Sequence, residues 1–446
     1  MRSRGYALCF VFLSCTGLTA CEPHGAPGAV AKHSAYMQQL ADSGLEATLL
    51  GQRWRRAADR ALREPTQVVL PYAEQGALLA HETAALGFAF EATAGQVLEI
   101  KLVRRAVDDS AEDHGRLYVD VFRIEHGDSG NVFKRLEDAS INGMGLKIAI
   151  PTSADYVVRI QPELLTSTLY ALTLELGASL PFPVAGHDAS AVQSFFGDDR
   201  DAGTRLHNGI DIFAERLTPV LAVARGRAVP SRNNLGGNVV WLNTAGISYY
   251  YAHLERFALS KPRRVAPGDV LGYVGNTGNA AGTSPHLHFA LYRWGRGAMD
   301  PLPRLIERRL PRDEVAIASF EPRYVRTSAD ALNLRAAPSL RGDVLAKLPN
   351  GTIVWAPGRS GEWLRVRDPL ARGWISEPFQ SGLVSASSEP EVAQKLTLLR
   401  DAPDPEALVI AALDPGSEYY PLGTLEGHTV IEAGPVSGWV NVSESR

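Results

Sequence analysis

Short runs of alternating apolar and polar residues fill the chain between residues 66 and 180. Clear examples lie at residues 86–90, 117–122 and 169–174, and polar turns separate them. A period of two puts successive side chains on opposite faces of a strand, so each run predicts a strand with one buried face. The region is therefore predicted to be a β-sandwich. Since no histidine or carboxylate cluster there indicates catalysis, we expect a spacer or binding domain.

A helical period precedes the strands. Tyr36, Leu40, Leu45 and Trp54 recur at roughly helical spacing. This spacing predicts one helix from about residue 31 to residue 63. We expect that helix to serve as a packing or spacer element in front of the domains that follow.

Strand patterns return beyond residue 312 and repeat themselves. When the chain is shifted by 65 residues, turn and core positions fall on identical residues without a gap. Such an offset predicts an internal repeat of one small domain, at residues 320–380 and 381–446. The matching pairs include Leu334 and Leu399, Arg335 and Arg400, Ala337 and Ala402, Pro338 and Pro403, Leu348 and Leu413, Gly351 and Gly416, Gly358 and Gly423, and Trp374 and Trp439.

The composition is that of a folded protein with several domains. A chain of 446 residues is too long for one ordinary core and predicts three or four domains. A hydrophobic fraction of 45% and a charged fraction of 21% are typical of folded, soluble protein rather than of disorder. The formal net charge of −4 gives no electrostatic reason to expect a nucleic-acid partner.

The first residues predict export. Arg2 and Arg4 precede an apolar run at residues 6–20, which is the pattern of a secretory signal peptide. A run of 15 residues is too short to span a bilayer comfortably as a helix. We therefore expect the run to be removed rather than to anchor the chain.

The apolar run ends in LTAC at residues 18–21, which resembles the bacterial lipobox. The resemblance implies a lipoprotein signal peptide at residues 1–20, a lipid on Cys21, and a linker and helix at residues 21–65. Glu22 directly after the cysteine implies, by the same resemblance, a periplasmic lipoprotein in the outer membrane of a Gram-negative bacterium. The alternative is an ordinary signal peptide followed by a chance cysteine.

Four of the eleven histidines lie between residues 205 and 292. His207 stands four residues before Asp211, but Gly209 and the flanking isoleucines favour a loop that runs into a strand. Alternation along that strand puts the isoleucines on the buried face and the carboxylate on the opposite face.

His286 and His288 stand two residues apart in a predicted strand, so they share one face while their apolar neighbours share the other. His253 lies between the two blocks. Zinc binds nitrogen, sulfur and oxygen ligands, and a catalytic zinc leaves one position to water. Because the stretch has no cysteine, it predicts zinc held by histidine and carboxylate. The alternatives are a structural zinc site and hydrogen-bonded histidines of a core.

Taken together, these blocks resemble the lysostaphin/LytM-type zinc metallopeptidases. The match runs over residues 196–301 and includes Gly268 and the turn at residues 272–278. It implies an antiparallel β-sheet peptidase domain at residues 181–310 that binds Zn²⁺. By the same resemblance, His207, Asp211 and His288 are the zinc ligands, His253 and His286 are the catalytic histidines, and Arg205 and Asn208 are candidate substrate-binding residues. Which histidine accepts the proton and which donates it stays open.

The runs ALNLRAAP at residues 331–338 and GWI at residues 373–375 resemble bacterial SH3-like domains. The repeat then implies two SH3-like barrels, of which the second is more diverged. In that family exposed aromatic residues often hold cell-wall peptides. This makes Trp355, Trp363 and Trp374 candidates, although Trp374 is also a core candidate. The strand order before the peptidase domain is similar to the pre-peptidase β-sandwich domains of secreted bacterial peptidases.

The resemblances imply a mainly β protein that hydrolyses peptide cross-links of peptidoglycan with zinc, as a D,D-endopeptidase tethered to a membrane by lipid. One alternative is a non-catalytic LytM-type activator of wall amidases, but such regulators have usually lost site residues. A second is a Gly–Gly endopeptidase of the secreted type. A pure wall-binding scaffold would leave the zinc residues unexplained. We also expect the β-sandwich or the SH3-like pair to restrain the enzyme by covering its cleft.

Overall fold

The structure is a computed structural model. It describes residues 32–82, 84–106, 115–128, 130–141, 145–200, 203–306, 320, 322–367, 372–382, 389–425, 427–434 and 436–441. The predicted signal peptide, the lipobox and Cys21 lie outside the described residues. Within those residues, no helix is both long and apolar enough to cross a membrane.

The predicted single N-terminal helix is wrong, because two helices occupy its place. Helix α1 spans His33–Asp42, a 3₁₀ turn spans Leu45–Ala47, and helix α2 spans Leu49–Arg63. Gly44 breaks the helix with a φ of 74°, a left-handed conformation that glycine adopts without a steric cost. The apolar spacing continues through the break, so the pattern alone could not show it.

The β-sandwich consists of two facing sheets. One has the strand order β1-β3-β8-β5-β6, and the other contains β2, β9, β4 and β7. Between them lies one apolar core, in which Phe88, Leu98 and Tyr156 are fully buried. The strands are β1 Thr66–Gln67, β2 Tyr72–Leu78, β3 Leu86–Ala92, β4 Val97–Ala106, β5 Leu117–Gly127, β6 Gly130–Ile141, β7 Leu146–Ala149, β8 Ala154–Pro162 and β9 Thr168–Gly177.

A separate antiparallel sheet follows the β-sandwich, with the strand order β10-β13-β20-β17-β16-β15-β18. One face of β13 and β20 is closed by apolar residues, since Ile210, Ile212, Leu287 and Phe289 have no exposed surface. The intervening polar residues must therefore face the other side of the sheet. The strands are β10 Val192–Ser194, β11 Asp199–Arg200, β12 Arg205–Leu206, β13 Ile210–Phe213, β14 Pro219–Leu221, β15 Gly226–Asn233, β16 Gly237–Asn243, β17 Ile247–Phe257, β18 Arg263–Val265, β19 Val270–Val274, β20 His286–Arg293 and β21 Gly297–Met299.

The C-terminal strands form two units with the same strand order. In the first, β24-β23-β27-β26-β25 are neighbours and β22 pairs with β25; in the second, β31-β30-β34-β33-β32-β29 are neighbours. The pair Arg335↔Trp374 recurs as Arg400↔Trp439, which is the predicted offset of 65. The strands are β22 Arg323–Thr327, β23 Ala331–Arg335, β24 Val344–Pro349, β25 Ile353–Ser360, β26 Trp363–Arg367, β27 Arg372–Ser376, β28 Gln380–Gly382, β29 Glu391–Val392, β30 Thr397–Arg400, β31 Val409–Leu413, β32 Glu418–Leu425, β33 His428–Ala433 and β34 Val436–Asn441.

The first of these units is joined to the β-sandwich edge to edge. Strand β2 pairs with β25 through Gln75↔Arg359 and Gly76↔Gly358, so one sheet runs through both. Beside this junction the Arg365 guanidinium donates two hydrogen bonds of 2.7 Å to the fully buried carboxylate of Glu74. The prediction of a mainly β protein is confirmed, but this docking was not predicted.

Candidate metal centre

Adjacent strands bring the predicted ligands together. Strands β13 and β20 are antiparallel neighbours, and Asp211 lies directly opposite His288 in their register. His207 reaches the same point from the loop before β13. Gly209 lets that loop pass close to β20, because a Cβ there would lie 2.5 Å from the carbonyl oxygen of Phe289.

The three side chains converge on one point. His207 Nε2 lies 3.0 Å from His288 Nδ1 and 3.2 Å from Asp211 Oδ1, and His288 Nδ1 lies 2.9 Å from the same oxygen. Ligand atoms about 2.0 Å from a tetrahedral zinc ion lie about 3.3 Å apart. Two nitrogens and one carboxylate oxygen at these spacings therefore fit a zinc ion with one position left open.

Backbone contacts orient His207. Its Nδ1 lies 2.8 Å from the carbonyl oxygen of Phe195, to which it donates its proton. A proton on Nδ1 leaves a lone pair on Nε2, the atom that faces the cluster. Such an outer hydrogen bond is typical of histidines that bind metals.

Charge and burial favour the protonation states that a metal needs. Burial alone would raise the pKa of Asp211, but the close contacts of its carboxylate with His207 and His288 outweigh that effect and hold the pKa well below its ordinary value. Burial lowers the pKa of His288. Near neutral pH the cluster therefore presents a carboxylate beside an uncharged His288 imidazole.

Arg200 belongs to the site and was missed in the sequence. Its Nη2 donates a hydrogen bond of 3.0 Å to Asp211 Oδ2 and another to the hydroxyl of Ser194. The guanidinium thus holds the outer carboxylate oxygen and leaves Oδ1 to the cluster. Arg200 lies eleven residues before Asp211, and no spacing rule connects residues at that distance. The sequence could have indicated it only through the general need of a largely buried carboxylate for a hydrogen-bond donor on each oxygen.

His253 and His286 stand beside the cluster. Their ring centroids lie 5.1 Å apart, and the His253 ring lies 5.9 Å from that of His288. Each donates from Nδ1 over 2.8 Å to a backbone carbonyl, of Thr277 and Ser284 respectively, so each keeps an acceptor at Nε2. The pair can therefore take up and release a proton next to the candidate metal.

The backbone at His253 is strained in order to place this ring. Its φ is 61°, which is rare for a residue with a Cβ, and the register of β16 and β17 shifts at this point. A bulge of this kind turns a side chain onto a face that regular alternation would deny it. Burial lowers the pKa of His253 to about 4, so its imidazole is uncharged at neutral pH.

The remaining predicted residues lie elsewhere. Arg205 and Asn208 are exposed, on β12 and in the following loop respectively, and neither belongs to the group formed by His207, Asp211 and His288. Trp374 is 1% exposed and belongs to the core. Trp355 is half-buried, because it packs against Tyr324, which also meets Trp439 of the second repeat unit. Trp363 is half-buried.

We expected the β-sandwich or the SH3-like pair to cover the cleft, but no contact in the part of the chain that the structure describes supports this expectation. Hydrogen bonds and ring contacts of the five cluster residues go to residues between 194 and 288. Arg304 instead links this sheet to the β-sandwich, because it donates to the carbonyl oxygen of Ala94 over 3.3 Å.

Comparisons with known proteins agree with this geometry. The L-Ala–D-Glu endopeptidase of Bacillus subtilis (strain 168) is 34% identical over 140 residues, which are 28% of this chain and 42% of that protein. The DD-carboxypeptidase/endopeptidase Mpg of Neisseria meningitidis serogroup B is 42% identical over 88 residues, 19% of this chain and 20% of the relative. The chain thus spans less than half the length of these curated relatives.

Among solved structures, the catalytic domain of the antimicrobial peptidase lysostaphin from Staphylococcus simulans shares 31% identity with this chain. The similarity covers 26% of this chain and 90% of that one, with a TM-score of 0.24. Residues 205–301 match Peptidase family M23, and residues 330–382 match the bacterial SH3 domain. The predicted resemblances of the histidine blocks and of the first SH3-like unit are thereby confirmed: the chain contains a peptidase family M23 domain followed by a bacterial SH3 domain.

Proposed function

We propose that this protein is a zinc-dependent endopeptidase that hydrolyses peptide cross-links in peptidoglycan. The observation that carries the proposal is the convergence of His207, Asp211 and His288 within 4.8 Å, with two further histidine rings beside them. Its relatives include an L-Ala–D-Glu endopeptidase, a DD-carboxypeptidase/endopeptidase and a peptidoglycan DD-endopeptidase, which supports the reaction type.

His207, Asp211 and His288 would hold the zinc ion, giving the site a net charge of +1. When bound, the metal would supply a water whose pKa falls from about 15.7 towards about 7, and a Lewis acid for the carbonyl oxygen. Arg200 keeps the Asp211 carboxylate oriented through its hydrogen bond to Oδ2. The chain itself therefore provides the ligand charge, the ligand spacing and one open position.

His253 and His286 would move the proton. Each offers an unprotonated Nε2, because its Nδ1–H is committed to a backbone carbonyl. One accepts the proton of the attacking water, and the pair returns a proton to the leaving amine as the peptide bond breaks. Burial keeps His253 uncharged and ready to accept at neutral pH.

Other parts of the chain support the proposed substrate. The bacterial SH3 domain supports binding to wall peptides, and the lipobox resemblance supports a lipid on Cys21 that tethers the enzyme to the outer membrane on its periplasmic side. In this setting we propose D,D-cross-links as the target. Similarity to the glycyl-glycine endopeptidase ALE-1 of Staphylococcus capitis favours Gly–Gly bonds as the second candidate.

Digestion of purified sacculi by the mature, unlipidated protein tests the proposal. Zinc-loaded protein is expected to release monomers at the expense of cross-linked dimers, and chelation is expected to stop it. His288→Ala and His253→Ala should each abolish release, whereas His187→Ala, which replaces a histidine whose ring bonds the Ala185 carbonyl of its own loop, should not. If the amount of cross-linked dimers stays unchanged at saturating zinc, the endopeptidase proposal is wrong and a non-catalytic regulator remains as the alternative. Cleavage confined to glycine-bridged sacculi would select the second candidate.

A further inference from the structure

The face of the sheet that carries the candidate metal centre continues beyond it as an aromatic surface. Along β20, His288, Ala290 and Tyr292 point to this face, while the apolar residues between them are buried in the core. Register places Tyr250 of β17 opposite Ala290, and Trp241 of β16 opposite Tyr250. Three aromatic residues from three neighbouring strands therefore share the face that His288 occupies.

These rings form a continuous path from the candidate metal centre. The Tyr250 ring lies 6.0 Å from that of His288, Trp241 lies 4.5 Å from Tyr250, and Tyr292 lies 5.6 Å from Trp241. Beneath them Ala290 has no exposed surface. We call Trp241, Tyr250 and Tyr292 the aromatic shelf.

The outer part of the shelf has apolar and polar surface to offer a ligand. Trp241 and Tyr292 are half-buried, so part of each ring reaches solvent. Among the hydrogen bonds of the described residues, none engages Trp241 Nε1 or the Tyr292 hydroxyl, and neither atom is buried. Aromatic residues with an apolar ring and an open polar tip are typical of binding surfaces.

The distance from the metal centre limits what can reach the shelf. Tyr292 lies four residues beyond His288, about 13 Å along a strand. An extended peptide covers about 3.3–3.6 Å per residue, so the shelf meets a substrate about four residues away from the bond that is cleaved. In a wall peptide, the sugar that carries the peptide lies at such a distance.

We propose that the aromatic shelf is a glycan subsite that binds an N-acetylated amino sugar of the wall strand, an inference that rests on the proposed function. The apolar C–H face of a pyranose ring packs on the exposed parts of Trp241 and Tyr292. The acetamido carbonyl accepts a hydrogen bond from Trp241 Nε1–H or from the Tyr292 hydroxyl. The shelf thus positions the glycan end of the substrate while the peptide runs towards His288.

Binding of two soluble probes to the zinc-loaded full chain tests the subsite. One probe is a disaccharide-tetrapeptide without a cross-link, and the other is the same tetrapeptide freed of its sugars. Wild type is expected to bind the sugar-bearing probe about tenfold more tightly, measured by calorimetry. The Trp241→Ala/Tyr292→Ala variant should bind both probes equally, and Phe133→Ala, a half-buried aromatic residue of the β-sandwich, should keep the wild-type preference.

A conservative variant guards against loss of folding. Trp241→Phe/Tyr292→Phe keeps aromatic cover over the sheet but removes both donors, so it should retain a preference of about threefold. Equal binding of both probes by wild type, or an undiminished preference in the double alanine variant, would overturn the subsite. Sacculus digestion separates the two proposals. A wild-type protein that does not digest sacculi but still prefers the sugar-bearing probe would contradict the endopeptidase activity and support the glycan subsite.

Discussion

Arg200→Gln removes the guanidinium that donates to the outer oxygen of Asp211 over 3.0 Å. A hydrogen bond to a charged group contributes about 1.5–3 kcal/mol when it is well buried. Here the side chains of Arg200 and Asp211 are 27% and 13% exposed, so water replaces part of the lost bond and the lower end applies. A loss of about 1.5 kcal/mol in zinc binding corresponds to about a tenfold increase in Kd.

Competition with a chromophoric chelator measures this zinc Kd without relying on activity. Arg200→Gln should bind zinc about tenfold more weakly, within the range of about 10–100-fold found for outer partners of metal ligands. Arg200→Lys should restore part of the affinity because it keeps a positive charge. Arg216→Gln, which removes an arginine paired with Glu255, should bind zinc like wild type. Unchanged or tighter zinc binding by Arg200→Gln would refute the positioning role, since tighter binding means that Arg200 competes with the metal for the carboxylate.

Two buried ion pairs outside the metal centre give further predictions. Burial alone would raise the pKa of Asp120, but the hydrogen bond from His33 and the charge of Arg159 outweigh it and lower that pKa. The carboxylate therefore stabilises the fold above its unfolded pKa of about 3.9 and loses this contribution as the pH falls. Asp120→Asn should lower the free energy of unfolding by about 3 kcal/mol at pH 7 and by less at pH 3, and equal losses in urea titrations at both pH values would contradict this. Arg365→Met should cost about 3 kcal/mol by leaving the fully buried Glu74 without its cation, and the double variant Glu74→Gln/Arg365→Met should recover part of it; a double variant no more stable than the single one would count against the argument.

Local patterns predicted the strands well. The runs at residues 86–90, 117–122 and 169–174 all lie in strands, because alternation depends only on neighbouring residues and on having one buried face. The repeat at an offset of 65 was equally visible, since identical residues at turns and core positions produced the same strand order twice. The break at Gly44 was not, because one glycine inside an apolar helical spacing does not by itself end a helix.

Local sequence patterns could not predict contacts between residues that are far apart in the chain. Glu74 and Arg365 are 291 residues apart, and their pairing depends on how the β-sandwich and the first repeat unit dock. Trp355 shows the same limit: the sequence suggested an exposed wall-binding residue, yet packing between the two repeat units covers part of its surface. Which surface of a small barrel stays exposed is decided by its neighbours.

The sequence alone specified which residue types could bind a metal and which faces of their strands they would occupy, because alternation and side-chain chemistry are local properties. It placed His288 on the face opposite Leu287 and Phe289, and the structure agrees. Only the tertiary structure decided that His207 Nε2, Asp211 Oδ1 and His288 Nδ1 meet within about 3 Å, and that Arg200 holds the second carboxylate oxygen. Those distances follow from the register of β13 against β20 and from a loop drawn close by Gly209, which depend on the packing of the whole sheet.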